Sequence, residues 1–216
     1  MTTKLLIATN NPSKLIWLSA FFSDLPVKCV SPAQLGLAFD APENGKSAVE
    51  NAIQKAVSWQ RAAQLPTFAE DSGLVFLDLP PDHPDQPHLL VRRANGGFAN
   101  DEEMLRYYQA LVHRHGGALR AVWQSAWCLC ASGEKYEAYA DDYDSLVKHA
   151  FLLTDEPCEV CHPGWPLDSL SKDLKTGRYF AEESVDDKAE DIERADDRRN
   201  AMRAWLHQAA HKLLSV

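Results

Sequence analysis

Two adjacent carboxylates, Glu70 and Asp71, stand directly before Ser72 and Gly73 in the middle of an apolar segment. Carboxylate oxygens are the ligands that Mg²⁺ prefers in proteins, and a carboxylate can also accept a proton from an attacking water. A surface turn, in which Asp and Gly suit the backbone geometry, would explain the same residues. The apolar runs on both sides favour a chemical role, because they place the predicted turn beside the core.

A second polar cluster runs from Thr9 to Lys14, between an apolar run and the start of a predicted helix. Thr9, Asn11 and Ser13 can donate hydrogen bonds, and Lys14 adds a cation one turn into the helix. Backbone N–H groups and the helix dipole at such a position attract anions. The segment is therefore either a phosphate-binding site or an ordinary helix cap, and its residues alone do not decide between the two.

A third carboxylate, Glu43, precedes a long predicted helix and is another candidate ligand for a cation. Ser47 and Glu50 have the spacing of a capping box, which is typical of a helix start. Lys55 lies two turns into this helix. From there it can reach a phosphate, or it can simply be solvated.

The elements that must position these residues follow from apolar periodicity and from turn residues. Strands and helices alternate at first and a β-rich stretch follows, which predicts an α/β or mixed α+β fold whose sheet loops build a cleft. The predicted elements are strands over 4–9 and 27–30, helices over 12–23 and 47–64, strands over 67–69 and 74–79 around the polar turn 70–73, an exposed loop over 80–87, a helix over 100–114, strands over 118–131 and 136–139, an irregular stretch over 156–177, and a helix over 196–214.

The bulk composition limits the function further. Of the 216 residues, 45% are hydrophobic and 25% are charged, which is typical of one large globular domain or of a domain with two lobes. The formal net charge of −9 argues against a general nucleic-acid partner and favours a small phosphate substrate bound with a divalent cation. No apolar run of about 18 residues and no signal peptide is present, so we expect a cytoplasmic protein with no membrane partner.

The chain has five cysteines, an odd number that argues against a disulfide framework. Cys158, Cys161 and His162 have the spacing of metal ligands, and Cys128 and Cys130 would share one face of a strand. Together they could bind zinc, which would make the chain a zinc-stabilised interaction protein. Free thiols explain the same residues, and we favour that interpretation because a single C-x-x-C is a weak signal.

Taken in order, the three polar clusters resemble the motifs of the inosine triphosphate pyrophosphatase (Ham1/RdgB-like) family. That family shows T-G-N-x-x-K after a strand, then E-T-G-x-(T/S)-x-x-E-N-A-x-x-K-A, then A-D-D-S-G-L. The corresponding stretches here are residues 9–14, 43–56 and 69–74. Three ordered motifs with fitting spacings are a far stronger signal than any one of them alone.

The resemblance implies a single α/β domain over 1–216, with a mixed twisted sheet, two lobes around a central cleft and a homodimeric assembly. It implies hydrolysis of a noncanonical purine nucleoside triphosphate to the monophosphate and pyrophosphate with Mg²⁺. It also implies roles for individual residues: substrate contacts at Thr9, Asn10, Asn11, Lys14, Lys55, Ser72 and Gly73, metal ligands at Glu43, Asp71 and Glu70, and catalytic groups at Asp71 and Lys14.

The second half of the chain departs from the family pattern. Residues 163–168 stand where the family has G-F-G-Y-D-P, and 196–198 stand where it has S-H-R. Arg198 therefore corresponds to a substrate-binding arginine, while Asp197 replaces the histidine. Asn10 replaces a glycine and Trp17 replaces a glutamate. We expect phosphate hydrolysis with a changed or relaxed base preference; the alternative is a catalytically altered or inactive nucleotide-binding homologue.

Overall fold

The computed structural model describes residues 3–94, 96–97, 99–183 and 197–214. Short 3-10 helices occupy Ala33–Leu35, Val91–Arg93, Pro166–Ser169 and Phe180–Glu182. The strands and α-helices are β1 (Thr3–Ile7), α1 (Pro12–Ala20), β2 (Val27–Val30), α2 (Ala48–Ala63), β3 (Thr67–Phe76), α3 (Asp101–Arg114), β4 (Ala118–Ser132), β5 (Lys135–Ala140), α4 (Tyr143–Lys148), β6 (Phe151–Thr154), β7 (Ser171–Asp173) and α5 (Asp197–Leu214).

The strands of the described residues form a seven-stranded mixed sheet in the order β2-β1-β3-β4-β6-β7, with β5 paired to β4. β1 is parallel to β2, with Thr3 opposite Val27, and parallel to β3, with Leu6 opposite Thr67. β4 pairs antiparallel with β5 and β6, and β6 pairs antiparallel with β7. The predicted α/β class with a mixed sheet is confirmed.

The described residues divide into two compact units. The first unit consists of residues 3–71, 125–141 and 197–214, and the second consists of residues 72–124 and 142–183. A single domain with two lobes around a cleft stays a prediction.

The first unit is built around β1, whose Leu5, Leu6 and Ile7 are completely buried. Continuous burial of three successive residues means that both faces of the strand are covered. Aromatic side chains fill much of the surrounding core, and Phe21, Phe68 and Trp127 meet edge to face. This packing fixes the end of β1, and with it the polar residues that follow.

Helix α2 begins where the sequence predicts. Ser47 Oγ accepts a hydrogen bond from the Glu50 amide at 3.1 Å, which caps the helix. The Glu50 carboxylate returns to the amide of Lys46 rather than to that of Ser47, so the predicted capping box is shifted by one residue. Ala52 and Ala56 are completely buried, and their small side chains let the helix lie close to its neighbours.

The second unit has its own core around helix α3. An Asn100–Glu103 capping box opens this helix, as the sequence predicts at Asn100. Tyr108, Leu111 and Val112 are completely buried along one side of it. The Tyr108 hydroxyl donates to the carbonyl of Val91 at 3.0 Å, which satisfies a polar atom that the core would otherwise isolate.

The prediction of a polar turn at residues 70–73 is wrong, because β3 runs without a break from Thr67 to Phe76. Two contacts let polar and small residues continue the strand. Lys14 neutralises Glu70 at 2.8 Å. At Gly73 a Cβ atom would stand 2.7 Å from the carbonyl oxygen of His88, which only glycine avoids. Neither contact can be predicted from the strand propensity of residues 70–73, because both involve residues far away in the sequence.

Several short elements were not predicted. Sequence patterns assigned nothing to α4 and β6, and β7 lies in the stretch predicted as irregular. These elements have six, four and three residues, which is too short for hydropathy to show a period. Helix α1 also ends at Ala20 rather than near residue 23. The predicted 196–214 helix is α5, and residue 196 lies outside the described residues.

Candidate phosphate and metal site

The loop from β1 to α1 is held by two side chains of the first cluster. Asn11 Oδ1 accepts from the amides of Ser13 at 3.0 Å and Lys14 at 3.2 Å, and Thr9 Oγ1 accepts from the Asn11 amide at 3.1 Å. The first amides of the helix are thus already bonded to the cap. A phosphate here would be bound chiefly by side chains, the Thr9 hydroxyl and the Lys14 ammonium, with the exposed Asn10 beside them.

Lys14 reaches from α1 to β3. Its Nζ donates to Glu70 Oε2 at 2.8 Å, and the Glu70 side chain is only 5% exposed. Burial alone would lower the pKa of Lys14. The charge and hydrogen bond of Glu70, together with the charges of Asp71 and Glu43, outweigh burial and raise the pKa above its ordinary value. Lys14 is therefore a fixed ammonium among three carboxylates.

Lys55 forms the second cationic contact. Its Nζ donates to Glu43 Oε1 at 2.6 Å and lies 3.5 Å from the carbonyl oxygen of Glu70. One helical turn earlier on α2, Asn51 Nδ2 donates to Asp71 Oδ2 at 3.0 Å. Residues four apart lie on one helix face, so a single face of α2 contacts both Glu70 and Asp71 of β3.

Asn51 is a site residue to which the sequence analysis gave no role. It is 4% exposed, and its Oδ1 accepts the Gly45 amide at 2.7 Å while its Nδ2 holds Asp71. A Cβ atom on Gly45 would stand 2.8 Å from that Oδ1, which accounts for a glycine in this loop. The signal for Asn51 was a polar residue on the buried face of α2, four positions before Lys55.

Asp71 is a carboxylate of this site whose pKa is raised. Burial raises the pKa of Asp71, and the charges of Glu70 and Glu43 raise it further, against the hydrogen bond from Asn51 and the charge of Lys55. Within the described part of the chain, these three carboxylates do not gather ligand atoms within 4.8 Å of one another. A shared cation would therefore require Lys14 or Lys55 to release its carboxylate.

The remaining predicted residues make none of the hydrogen bonds described above. Ser72 and Gly73 follow Asp71 along β3 but belong to the second unit. Arg198 belongs to the first unit, where its Nε donates to Asp141 Oδ2 at 2.6 Å. The Asp141 side chain is 2% exposed and also accepts from the Tyr139 hydroxyl at 3.1 Å. The sequence analysis did not find Asp141, and the side chain of Asp197 lies outside the described residues.

All five cysteines are free of disulfide bonds, and the preference for free thiols over a zinc site stays a prediction. Burial raises the thiol pKa of Cys128 and of Cys130 on β4, so neither is poised to ionise. No cysteine belongs to a group of three or more metal-ligating side chains among the residues described. None of the helices that the structure describes is long and apolar enough to cross a bilayer.

The family model described as the Ham1 family matches residues 5–143. This chain belongs to the Ham1 family. The matched range contains Lys14, Lys55, Glu70 and Asp71 and stops before Arg198. The suspected resemblance is thus confirmed.

Similar proteins point the same way. A dITP/XTP pyrophosphatase from Legionella pneumophila is 38% identical over 103 residues, which are 48% of this chain and 50% of that relative. The chain therefore spans about half the length of that Ham1 relative. A dITP/XTP pyrophosphatase from Leptospira interrogans is 30% identical over 199 residues, covering 82% of this chain and 99% of the relative.

The fold is also that of a solved Ham1 structure. The Staphylococcus aureus Ham1 protein superposes with a TM-score of 0.67 at 21% identity, covering 95% of this chain and 99% of that chain. At this identity the likeness shows the fold alone.

Proposed function

We propose that this Ham1 family protein hydrolyses a nucleoside triphosphate with a noncanonical purine base to the monophosphate and pyrophosphate, using Mg²⁺. The observation that carries the proposal is the convergence of Lys14, Lys55 and three carboxylates within the first unit. Lys14 Nζ stands 2.8 Å from Glu70 and Lys55 Nζ stands 2.6 Å from Glu43, beside Asp71. The names of the Legionella and Leptospira relatives support the choice of substrate.

The two lysines suit a triphosphate because they are charged, partly exposed and already oriented. Their side chains are 32% and 20% exposed, so a polyphosphate can approach them. Its charge can replace that of Glu70 and Glu43 as the partner of the ammonium groups. Such preorganised cations stabilise charge that develops on departing phosphate oxygens without reorganising during the reaction.

The donor set fits a divalent cation. Glu43, Glu70 and Asp71 offer the oxygen ligands that Mg²⁺ prefers. Burial raises the pKa of Asp71 and the charges of Glu70 and Glu43 add to the rise, and a cation would relieve that repulsion. When bound, a divalent cation neutralises phosphate charge and makes a coordinated water easier to deprotonate.

The proposed reaction is direct. A water oxygen bonds to the α-phosphorus, and the bond from that phosphorus to the oxygen bridging to the β-phosphorus breaks. Asp71 accepts the proton of the water, and its orientation is set by the hydrogen bond from Asn51 at 3.0 Å. Thr9 and Asn11 contact the phosphates, Asn10, Ser72 and Gly73 contribute further substrate contacts, and pyrophosphate leaves bound to Lys14 and Lys55.

Arg198 is the proposed contact to the base. Its guanidinium is held by the buried Asp141 carboxylate, which fixes its orientation. The departures at residues 163–168 and at position 197 support a base preference that differs from that of the relatives. We also keep the single two-lobed domain, the homodimer and the cytoplasmic location as proposals, and light scattering of the purified protein tests the dimer.

The deciding experiment measures pyrophosphate release with ITP, XTP, dITP, dUTP and the common triphosphates, each with and without Mg²⁺. We expect Mg²⁺-dependent release of pyrophosphate and a monophosphate from at least one purine triphosphate. Release of orthophosphate instead, or no turnover of any of these substrates, would contradict the proposal. A strong preference for ITP and XTP would retain hydrolysis but remove the altered base preference.

A further inference from the structure

A group of two histidines and one aspartate lies in the second unit, among residues to which neither the motifs nor the proposed hydrolysis assigns a role. His115 Nε2 is 2.8 Å from Asp85 Oδ2, and the rings of His83 and His115 are 5.4 Å apart. One ligand atom from each of the three residues lies within 4.8 Å of the other two. All three side chains are half-buried rather than fully solvated.

The loop that carries His83 and Asp85 is fixed by a buried glutamine. Gln86 Oε1 accepts from the Phe76 amide at 2.9 Å, and Gln86 Nε2 donates to the Phe76 carbonyl at 2.7 Å. The side chain thus pairs with the end of β3 as a neighbouring strand would. The Gln86 amide also donates to the His83 carbonyl at 2.9 Å, which closes a turn between them. The loop is therefore ordered by contacts other than those of the histidines.

His115 enters the group from helix α3. It is the C-cap residue, and its amide donates to the carbonyls of Val112 and His113 at the helix end. His83 Nδ1 accepts from the Asp85 amide at 3.1 Å, so its lone pair points toward the loop interior. Two separate segments, each fixed by its own backbone bonds, thus present nitrogen and carboxylate ligands to one point.

We infer that His83, Asp85 and His115 form a binding site for a divalent transition metal of the zinc class. Two imidazoles and one carboxylate are the ligand set of many zinc sites, whereas Mg²⁺ favours oxygen ligands. Ligands about 2 Å from zinc stand roughly 3–3.5 Å from one another. The His115–Asp85 pair at 2.8 Å must therefore open slightly, and ligand atoms up to 4.8 Å apart must approach by about 1–2 Å. Three protein ligands leave a fourth position for water.

Metal binding replaces two weaker interactions. The proton between His115 Nε2 and Asp85 Oδ2 passes to solvent, and His83 Nδ1 gives up the hydrogen bond from the Asp85 amide in order to bind the ion. The guanidinium of Arg114 lies 3.3 Å from the other oxygen of Asp85, and its side chain is 53% exposed, so it can turn into solvent. The ion would then join the 80–88 loop to the end of α3. The site is a clamp within the second unit and uses none of the residues proposed for hydrolysis.

The test uses the full-length protein freed of metal by dialysis against a chelator, with Co²⁺ as the spectroscopic probe and Zn²⁺ as competitor. We expect one equivalent of Co²⁺ to give the visible absorption of a low-coordinate site, and Zn²⁺ to remove that absorption. Zn²⁺ should also raise the thermal midpoint, because an ion bound to the folded state alone stabilises it. No saturable absorption, or saturation without a rise in the midpoint, would overturn the site.

Variants locate the ion. Asp85→Asn and His83→Asn should each weaken Co²⁺ binding by at least about 10–100-fold, the loss typical of an outer-shell partner. His113→Gln is the matched control, since His113 lies 2.7 Å from Asp155 in the same unit but joins no group of three ligands among the described residues. Circular dichroism checks that each variant is folded. If Asp85→Asn does not fold, His83→Asn still tests the site, because it keeps the Asp85–His115 hydrogen bond.

Asp71→Asn separates this site from the proposed function. Its low-coordinate Co²⁺ absorption should titrate with unchanged affinity, whatever the effect of the substitution on pyrophosphate release. Binding that persists in both ligand variants would place the ion elsewhere, for example at Cys158 and Cys161, and would refute the assignment. Equal weakening by His113→Gln would refute it as well.

Discussion

The two units differ in how deeply their ion pairs are buried, since the least exposed carboxylates in ion pairs of the described residues belong to the first unit. In the first unit, Glu70 and Asp141 are nearly buried, at 5% and 2% side-chain exposure, and each bonds a cation from a distant part of the chain. In the second unit, pairs such as Arg120–Asp78 leave both partners substantially in water, at 57% and 34% exposure. Exposed pairs contribute little to stability, whereas buried charges are costly unless they are bound closely.

This difference teaches where to look for function. A protein retains a costly group of buried charges where its chemistry needs them, and perturbed pKa values mark such places. Lys14 and Asp71 both have raised pKa values. At Lys14 burial is outweighed by the carboxylates of Glu70, Asp71 and Glu43, whereas at Asp71 burial is the main cause and the charges of Glu70 and Glu43 add to it. The exposed ion pairs of the second unit need no functional explanation, because they cost little. The half-buried His83–Asp85–His115 group is intermediate in burial between these exposed pairs and the buried pairs of the first unit.

The largest expected effect is on catalysis. Asp71→Asn should lower kcat/KM for pyrophosphate release by on the order of 10²–10³-fold, because it removes the proton acceptor and one metal ligand together. Asp78→Asn in the second unit removes the partner of Arg120 and should leave kcat/KM unchanged. Steady-state kinetics of the two variants side by side make the comparison. Similar losses of kcat/KM from both variants would show that Asp71 has no special role in catalysis compared with Asp78.

The next effect is on stability. Lys14→Met should destabilise the protein by about 3 kcal/mol, because it removes the ammonium group that neutralises the buried Glu70 carboxylate. Arg120→Met should cost less than about 1 kcal/mol, as expected for an exposed pair. Urea unfolding gives both free energies. Adding Glu70→Gln to Lys14→Met should restore stability but not activity; recovery of activity as well would show that Lys14 only neutralises Glu70.

Much of the first unit was predictable because its signals are local. The apolar run that forms β1, the Asn11 cap and the Ser47 cap of α2 each depend on residues within a few positions. The pairings that complete the site are not local. Lys14 and Glu70 are 56 positions apart, and Arg198 and Asp141 are 57 apart. Nothing in the pattern around Asp141 indicates that it will be buried against a helix so far along the chain.

The second unit was harder to predict from the sequence, because its contacts are also non-local and because several of its elements are short. Its elements α4, β6 and β7 are too short to show a period, and β6 places Phe151 and Leu153 in the core of the unit. The His83–Asp85–His115 group joins a proline-rich loop to a helix end 30 positions later. Sequence patterns predicted only an exposed loop over 80–87, because no motif spacing connects these three residues.

A smaller effect concerns pH. Asp71 can accept a proton only when ionised, so activity is lost as the pH falls through its raised pKa. Asn51→Ala removes a hydrogen bond that opposes this rise, so the acidic limb of the kcat/KM profile should move to higher pH. Gln60→Ala is the matched control, since it removes a side-chain bond from the same helix, to the Gly133 amide, without touching Asp71. A limb that stays in place would remove Asp71 as the proton acceptor.

The smallest effect tests whether Arg198 belongs with the chemistry of the first unit or only with its structure. Asp141→Asn weakens the bond that orients the Arg198 guanidinium at 2.6 Å, which is worth roughly 0.5–1.5 kcal/mol. The ratio of kcat/KM for ITP to that for ATP should therefore change by about 2–10-fold. Glu137 on β5 is the half-buried partner of the exposed Lys212, and Glu137→Gln should leave this ratio unchanged. If Asp141→Asn lowers stability but not the ratio, Arg198 has only a structural role, and the base must be bound by other residues.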